Sequence, residues 1–297
     1  MSERKTHDHG VMYAAAAFVV WGIVPIFWKF MAQVPAVEIV MHRIVWTLIF
    51  AAVTILALGK WPLLKTALTT PRTLGALAIS ALLIGMNWGL FIWAVNANRI
   101  EETSLGYYMN PLVNFLLGTV LLGERLSRIQ LAAVGLASAG VLNQAIAVGV
   151  LPWVSLILAV SFGFYGLIRK HVAVESLVGL TVEAIVLTPI ALGYLTYLGA
   201  TGTGVFLTHD RVTDVLLVLA GPITALPLLM FAVGVRRVKL STIGFLQYIA
   251  PSIALVIAVV MYGEKFTSAH AVTFGLIWLA LGLISWEALT RERYSAA

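Results

Sequence analysis

Ionisable side chains stand inside or at the ends of long apolar stretches of this chain, among them Lys29, Glu38, His42 and Arg43 in the first half and Lys170 and Glu183 in the second. In a bilayer an unpaired charge at a helix centre costs about 2.5 to 3.5 kcal/mol on insertion scales, so such residues pair with one another or mark a solute path. Glu38 and His42 are four apart and share a helix face, so Glu38 can pair with His42 or with Lys29. Lys170 mirrors Lys29 in the second half, and Glu183 takes the place of His42. The chemistry on offer is that of breakable ion pairs, with one polar cluster near each membrane face, as two alternating gates require. For Lys29 and Lys170, near the ends of their stretches, the plain alternative is snorkelling to the interface. Arg43 and Glu183 lie deeper and suit either function or a structural ion pair.

A second set joins amides to aromatic rings: Asn87, Trp88, Tyr108, Asn110, Tyr165, Gln247 and Tyr248. Rings with a few hydrogen-bonding groups among them suit a moderately polar organic solute, including a cation held over a ring face; packing is the alternative use. Pro25, Pro111, Pro222, Pro227 and Pro251 also fall within apolar stretches. Each removes a backbone hydrogen bond and invites a helix break or kink, which is tolerated where the freed carbonyl faces protein or a wet cavity. No phosphate loop, metal-ligand spacing or nucleophile triad is present, so neither a cofactor, a metal nor ATP hydrolysis is expected.

These residues must be positioned by a membrane protein. Hydrophobic residues make up 61% of 297 positions and charged ones 11%, against about 45–50% and 25% in soluble domains. Crossing a bilayer takes about 20 mostly apolar residues. Ten stretches qualify, at about 11–31, 36–58, 74–96, 104–122, 129–148, 151–168, 177–198, 212–235, 240–262 and 268–290. The first, which follows Arg4 and Lys5, lacks a small-residue cleavage site and reads as a retained helix. Of the 19 Lys and Arg residues, 14 fall on one side of the ten-span arrangement and three on the other, with Lys29 and Arg43 inside stretches. The basic side is cytoplasmic, which puts both termini there and explains the net charge of +6 by topology instead of nucleic-acid binding. There are no cysteines, so disulfides and thiolate sites are excluded.

The chain also repeats itself. Thr103-Ser104-Leu105-Gly106-Tyr107, Pro111 and Gly123-Glu124-Arg125 return as Ser241-Thr242-Ile243-Gly244-Phe245, Pro251 and Gly263-Glu264-Lys265, in constant register from the proline on. The expected fold is an all-α polytopic membrane protein of two five-helix repeats, residues 1–148 and 149–297. Five is odd, so the second repeat enters the membrane from the opposite face, a recurrent secondary-transporter design. The alternative is that duplication built a larger bundle. Small-residue faces at Gly135, Ser138, Gly140, Gly275 and Gly282 favour close helix packing and could also seat a homodimer.

Trp21-Gly22-Ile23-Val24-Pro25, Glu38 to Trp46, Gly85-Met86-Asn87-Trp88, Asn110-Pro111-Leu112-Val113-Asn114 and Leu122-Gly123-Glu124-Arg125 closely resemble the RarD branch of the EamA-type drug/metabolite transporter superfamily. So do Phe164-Tyr165-Gly166-Leu167, Leu240-Ser241-Thr242 and Tyr262-Gly263-Glu264-Lys265. The resemblance implies ten helices in inverted repeats in a bacterial inner membrane. It also implies a permease for a small metabolite or drug, amino-acid-like or amphenicol-like, with the seven amide and aromatic residues in its central cavity. Smaller relatives carry a membrane acid in the first helix for proton coupling; this chain has none there. The partners expected are a small-molecule substrate and membrane lipid. A membrane-embedded enzyme acting on a lipid or prenyl substrate would want clustered acids that the stretches lack. A channel or scaffold is the other rival, distinguished by unsaturable conduction.

Overall fold

The computed structural model describes residues 2–97, 99–149, 153–263 and 266–296, without the side chains of 2–8, 95–96, 100–101, 148 and 288–296. Glu264 and Lys265 of the second motif copy therefore lie outside the described residues, as do the side chains of Arg4, Lys5 and Asn96.

Among the described residues the secondary structure is entirely helical: α1 (Ser2–Lys29), α2 (Ala36–Ala57), α3 (Trp61–Thr69), α4 (Pro71–Asn96), α5 (Ile100–Val120), α6 (Arg128–Val148), α7 (Trp153–His171), α8 (Ser176–Thr201), α9 (Arg211–Val235), α10 (Leu240–Gln247), α11 (Ile249–Tyr262) and α12 (Ser268–Ala296). Nine spans among them are long and apolar enough to cross a membrane, with α10 and α11 counted as one. The sequence gives ten such stretches, and the one that falls short is α5, which carries Asn110, Pro111 and Asn114 through its middle. All three are buried, and an amide turned into protein lowers a helix's mean hydropathy without facing lipid.

Local chemistry sets the ends. Ser127 and Gln130 form a reciprocal capping box at the start of α6, which satisfies two orphan N–H groups. Gly149, Gly202 and Gly263 close α6, α8 and α11 in the left-handed conformation that glycine adopts without penalty. α3 is a short helix between α2 and α4, packed on α8.

The prolines act unequally. α1, α5 and α9 run unbroken through Pro25, Pro111, Pro222 and Pro227. The helix interruption falls at Tyr248, between α10 and α11. Pro251 has no N–H for the carbonyl of Gln247 four residues back, and Gln247 is where α10 ends.

Helices pair α2 with α8 and α9, α1 with α9 and α11, α4 with α7 and α8, α5 with α7 and α10, and α6 with α12. Small residues bring backbones together where the pairs cross: an added Cβ on Gly221 of α9 would stand 2.4 Å from the Trp46 backbone of α2. The main core, with Phe18, Tyr165, Phe231 and Leu240, lies between α1, α7, α9 and α10, and a second core joins α5, α6, α10 and α12 around Tyr108, Phe115 and Phe274.

A candidate solute site between the halves

α2 positions the polar groups, because its register turns residues four apart to a common neighbour. Glu38 Oε1 accepts from the backbone N–H groups of Val205 and Phe206, at 2.8 and 3.3 Å. It also lies 3.9 Å from His42 Nε2, and the Phe206 ring covers His42 at 4.7 Å. Glu38 is 1% exposed and His42 4%, so this pair ties α2 to the loop between α8 and α9. On the same stripe Glu38 Oε2, His42 Nε2 and Trp46 Nε1 are buried without a hydrogen-bond partner.

Arg43, one residue on, faces elsewhere. Its guanidinium lies between the rings of Trp28 and Trp88, 4.8 and 4.7 Å from their centres, and its Nε donates to Thr224 Oγ1 at 2.9 Å. Lys29 lies over the Tyr262 ring at 3.8 Å, away from the acids of α2. Of the four residues grouped by sequence, Glu38 and His42 meet; Lys29 and Arg43 each have an aromatic setting of their own.

In the second half, Glu183 meets Arg169 and not Lys170. Arg169 Nη1 is 3.6 Å from Glu183 Oε1, Ser80 donates to the same oxygen at 2.6 Å, and Arg169 Nη2 donates to the Ser176 carbonyl. Both charges are nearly fully buried, at 2% and 3% exposure. Lys170 donates instead to the carbonyls of Val235 and Val238, so it holds the end of α9. The Arg169–Lys170 order explains the substitution: both are basic residues at one helix end, but helical rotation of about 100° per residue points only Arg169 at α8.

Beside Glu183 is a small, partly open cavity of about 20 Å³, bounded by Thr47, Ile84, Trp88, Tyr165, Glu183 and Leu228, among others. That is room for one water molecule. Trp88 and Tyr165 thus line it, while the other five aromatic and amide residues do not. Asn87 donates to the Leu158 carbonyl and Ser161 Oγ, linking α4 to α7. Gln247 accepts from Asn114 at 2.7 Å. Tyr108 packs edge-on against Phe274, Tyr248 Oη donates to the Tyr108 carbonyl, and Asn110 is buried on α5. The small-residue faces divide likewise: Gly140 packs against α12, whereas Gly135, Gly275 and Gly282 face open space.

Sequence reasoning passed over Ser80, Thr224, Asn114 and Glu124. Glu124, just after the helix-ending Gly123, accepts from the N–H groups of Leu240 and Ser241 and from Ser241 Oγ. The signal was available, since Glu124 belongs to the repeated motif and a carboxylate at a helix N-terminus meets unpaired N–H groups.

Comparison with known proteins matches this architecture to a transport family. The EamA-like transporter family matches residues 8–143. Protein RarD of Escherichia coli (strain K12) is 44% identical over 98% of both chains. An uncharacterized transporter of Vibrio cholerae is 45% identical over 94% of this chain and 93% of its own, and the chloramphenicol-sensitive protein RarD of Pseudomonas aeruginosa is 32% identical over 97% of each. A solved structure 17% identical shares the fold, with a TM-score of 0.71 over 93% of this chain and 97% of its own. With likeness of this extent and nine apolar spans, the chain belongs to the EamA-like transporter family in its RarD-type branch, and it is a multi-pass bacterial membrane permease.

Proposed function

We propose that this permease carries a small organic metabolite or drug, amino-acid-like or amphenicol-like, by alternating access between two inverted five-helix halves, residues 1–148 and 149–297, with both termini cytoplasmic. The observation that carries the reading is the pattern of helix pairs. A two-fold operation exchanging α1 with α7, α2 with α8, α4 with α9, α5 with α10 and α11, and α6 with α12 returns the most extensive of the helix pairs, though not α5–α6, α7–α9 or those of α3. The pair α1–α9 becomes α7–α4, α2–α9 becomes α8–α4, and α5–α7 becomes α11–α1, all of which occur. In this reading α5 is the tenth crossing, screened from lipid along one side by α7 and α10.

The small size of the cavity, about 20 Å³, fits a solute path narrowed on both sides, with Glu38 and His42 on the outer side and Arg169 and Glu183 on the inner side. Opening one cluster while the other holds would expose the space between to one side at a time. Since a preference of about 1.4 kcal/mol changes populations tenfold, such pairs suffice to bias the cycle.

Purified protein in liposomes, offered labelled amino acids and amphenicols with and without a pH gradient, tests this. A carrier gives saturable uptake and counterflow. Unsaturable flux would favour a channel, and chemical change of a lipid substrate would favour an enzyme.

A further inference from the structure

Resting on that carrier reading, we infer that Arg43 is the docking group for a single carboxylate, so that the transported solute is an organic monoanion or an amino acid and not a neutral molecule. The buried charges described above each have a counterion or hydrogen-bonding backbone groups. Glu183 has Arg169, Glu38 has two backbone N–H groups, and Lys170 has two carbonyls. Arg43 has no carboxylate partner among the described residues; its titratable neighbour is the Tyr107 phenol. The sole acid on its own helix, Glu38, is committed to the loop at Val205 and Phe206.

The geometry around Arg43 selects a ligand. Thr224 takes Nε, and the indoles of Trp28 and Trp88 cover the guanidinium at 4.8 and 4.7 Å. The two terminal amino groups make no hydrogen bond within the described residues, and neither is a buried unpartnered atom. Arg43 itself is only partly buried, so these groups can be reached. Two parallel N–H donors on a planar cation match the two oxygens of a carboxylate. The tryptophans hold the guanidinium in place, which lowers the entropic cost of binding, and their faces offer an apolar surface for the rest of the solute. One cation favours one negative charge: a phosphate dianion would leave an excess charge inside the membrane. Four helices, α1, α2, α4 and α9, contribute to the position.

The test uses the full chain in lipid nanodiscs, with tryptophan fluorescence reporting binding of benzoate, phenylalanine, their uncharged-carboxyl counterparts benzamide and phenylalaninamide, inorganic phosphate and chloramphenicol. Expected is saturable binding of benzoate or phenylalanine, at least tenfold weaker for the matching amide and for phosphate. Arg43→Lys keeps the charge but loses the fork, and should weaken carboxylate binding at least tenfold. Arg43→Gln should abolish it, and Trp28→Phe should remove part of the signal. Monodisperse elution and an unchanged thermal midpoint for Arg43→Lys keep the test valid where Arg43→Gln fails to fold. Equal binding of acid and amide, binding by Arg43→Lys as in the wild type, preference for phosphate, or failure of both carboxylates to bind overturns the proposal. Saturable chloramphenicol uptake indifferent to Arg43→Lys would keep the carrier and remove the carboxylate site. Carboxylate binding that needs Arg43 in a protein that transports nothing would keep the site and remove the carrier.

Discussion

The hydroxyl of Tyr248 donates to the backbone carbonyl of Tyr108 at 3.3 Å, and the two residues are 140 positions apart, the register of the sequence repeat. In the proposed two-fold arrangement equivalent residues touch only near the axis, and this bond lies where α5 and the α10–α11 break meet. Both rings are buried. Tyr248→Phe removes one donor and should lower stability by about 0.5–1.5 kcal/mol. Tyr248→Ala, which leaves a ring-sized cavity, should cost about 3–5 kcal/mol. Thermal unfolding in detergent reads both, and equal losses would mean that the hydroxyl matters as much as the ring.

Removing one member of a buried ion pair strands the other charge, at about 3–5 kcal/mol. Glu183→Gln and Arg169→Gln should therefore each destabilise the protein strongly, while Arg169→Met combined with Glu183→Leu should recover much of the loss. In the carrier cycle Glu183→Gln should also favour the inward-open form, raising labelling of engineered cysteines at the cytoplasmic side. The chain has no native cysteine to confuse the readout. Unchanged labelling at both faces with normal transport would remove Glu183 from the gate.

Gly221→Ala places a methyl group 2.4 Å from the backbone of Trp46, which cannot rotate away. Overpacking of this kind costs about 1–3 kcal/mol, and here it also strains the Thr47 hydroxyl bond to the Gly221 carbonyl. Gly275→Ala, whose Cβ meets nothing within 4 Å, should be neutral or slightly stabilising through helix propensity. Expression level and melting midpoint should separate the two; similar behaviour would contradict the α2–α9 crossing.

Glu124→Ala deletes three bonds at the start of α10, each charge-assisted and worth about 1.5–3 kcal/mol. The loss should be partly rescued by Glu124→Gln, whose amide oxygen still accepts. Hydrogen exchange at Leu240 and Ser241 should rise first, and no change there would show that other contacts hold this helix end.

Reporter fusions after Gly149 and after Arg237 should give periplasmic and cytoplasmic signals respectively. The same signal at both points would sink the ten-crossing arrangement with cytoplasmic termini.

Apolar composition and the spacing of breaks were enough to read the helical membrane architecture, because a backbone in lipid must satisfy its own hydrogen bonds and leaves few alternatives. The repeated motif and the family likeness were likewise legible as linear patterns. Which polar residue meets which was not. Glu183 pairs with Arg169 although Lys170 matched the repeat, since a step of one residue turns a helical side chain by about 100°. Glu38 turned out to hold backbone N–H groups of a loop 167 residues away, a partner with no side-chain signature to read. Pro251 accompanies a break that Pro111 does not, though the two occupy the same place in the repeat, because neighbouring helices decide whether a freed carbonyl is held straight or released. Arg43 was visible in sequence as a costly charge; that two tryptophans from α1 and α4 enclose it, with no carboxylate beside it among the described residues, is a fact of the tertiary packing alone.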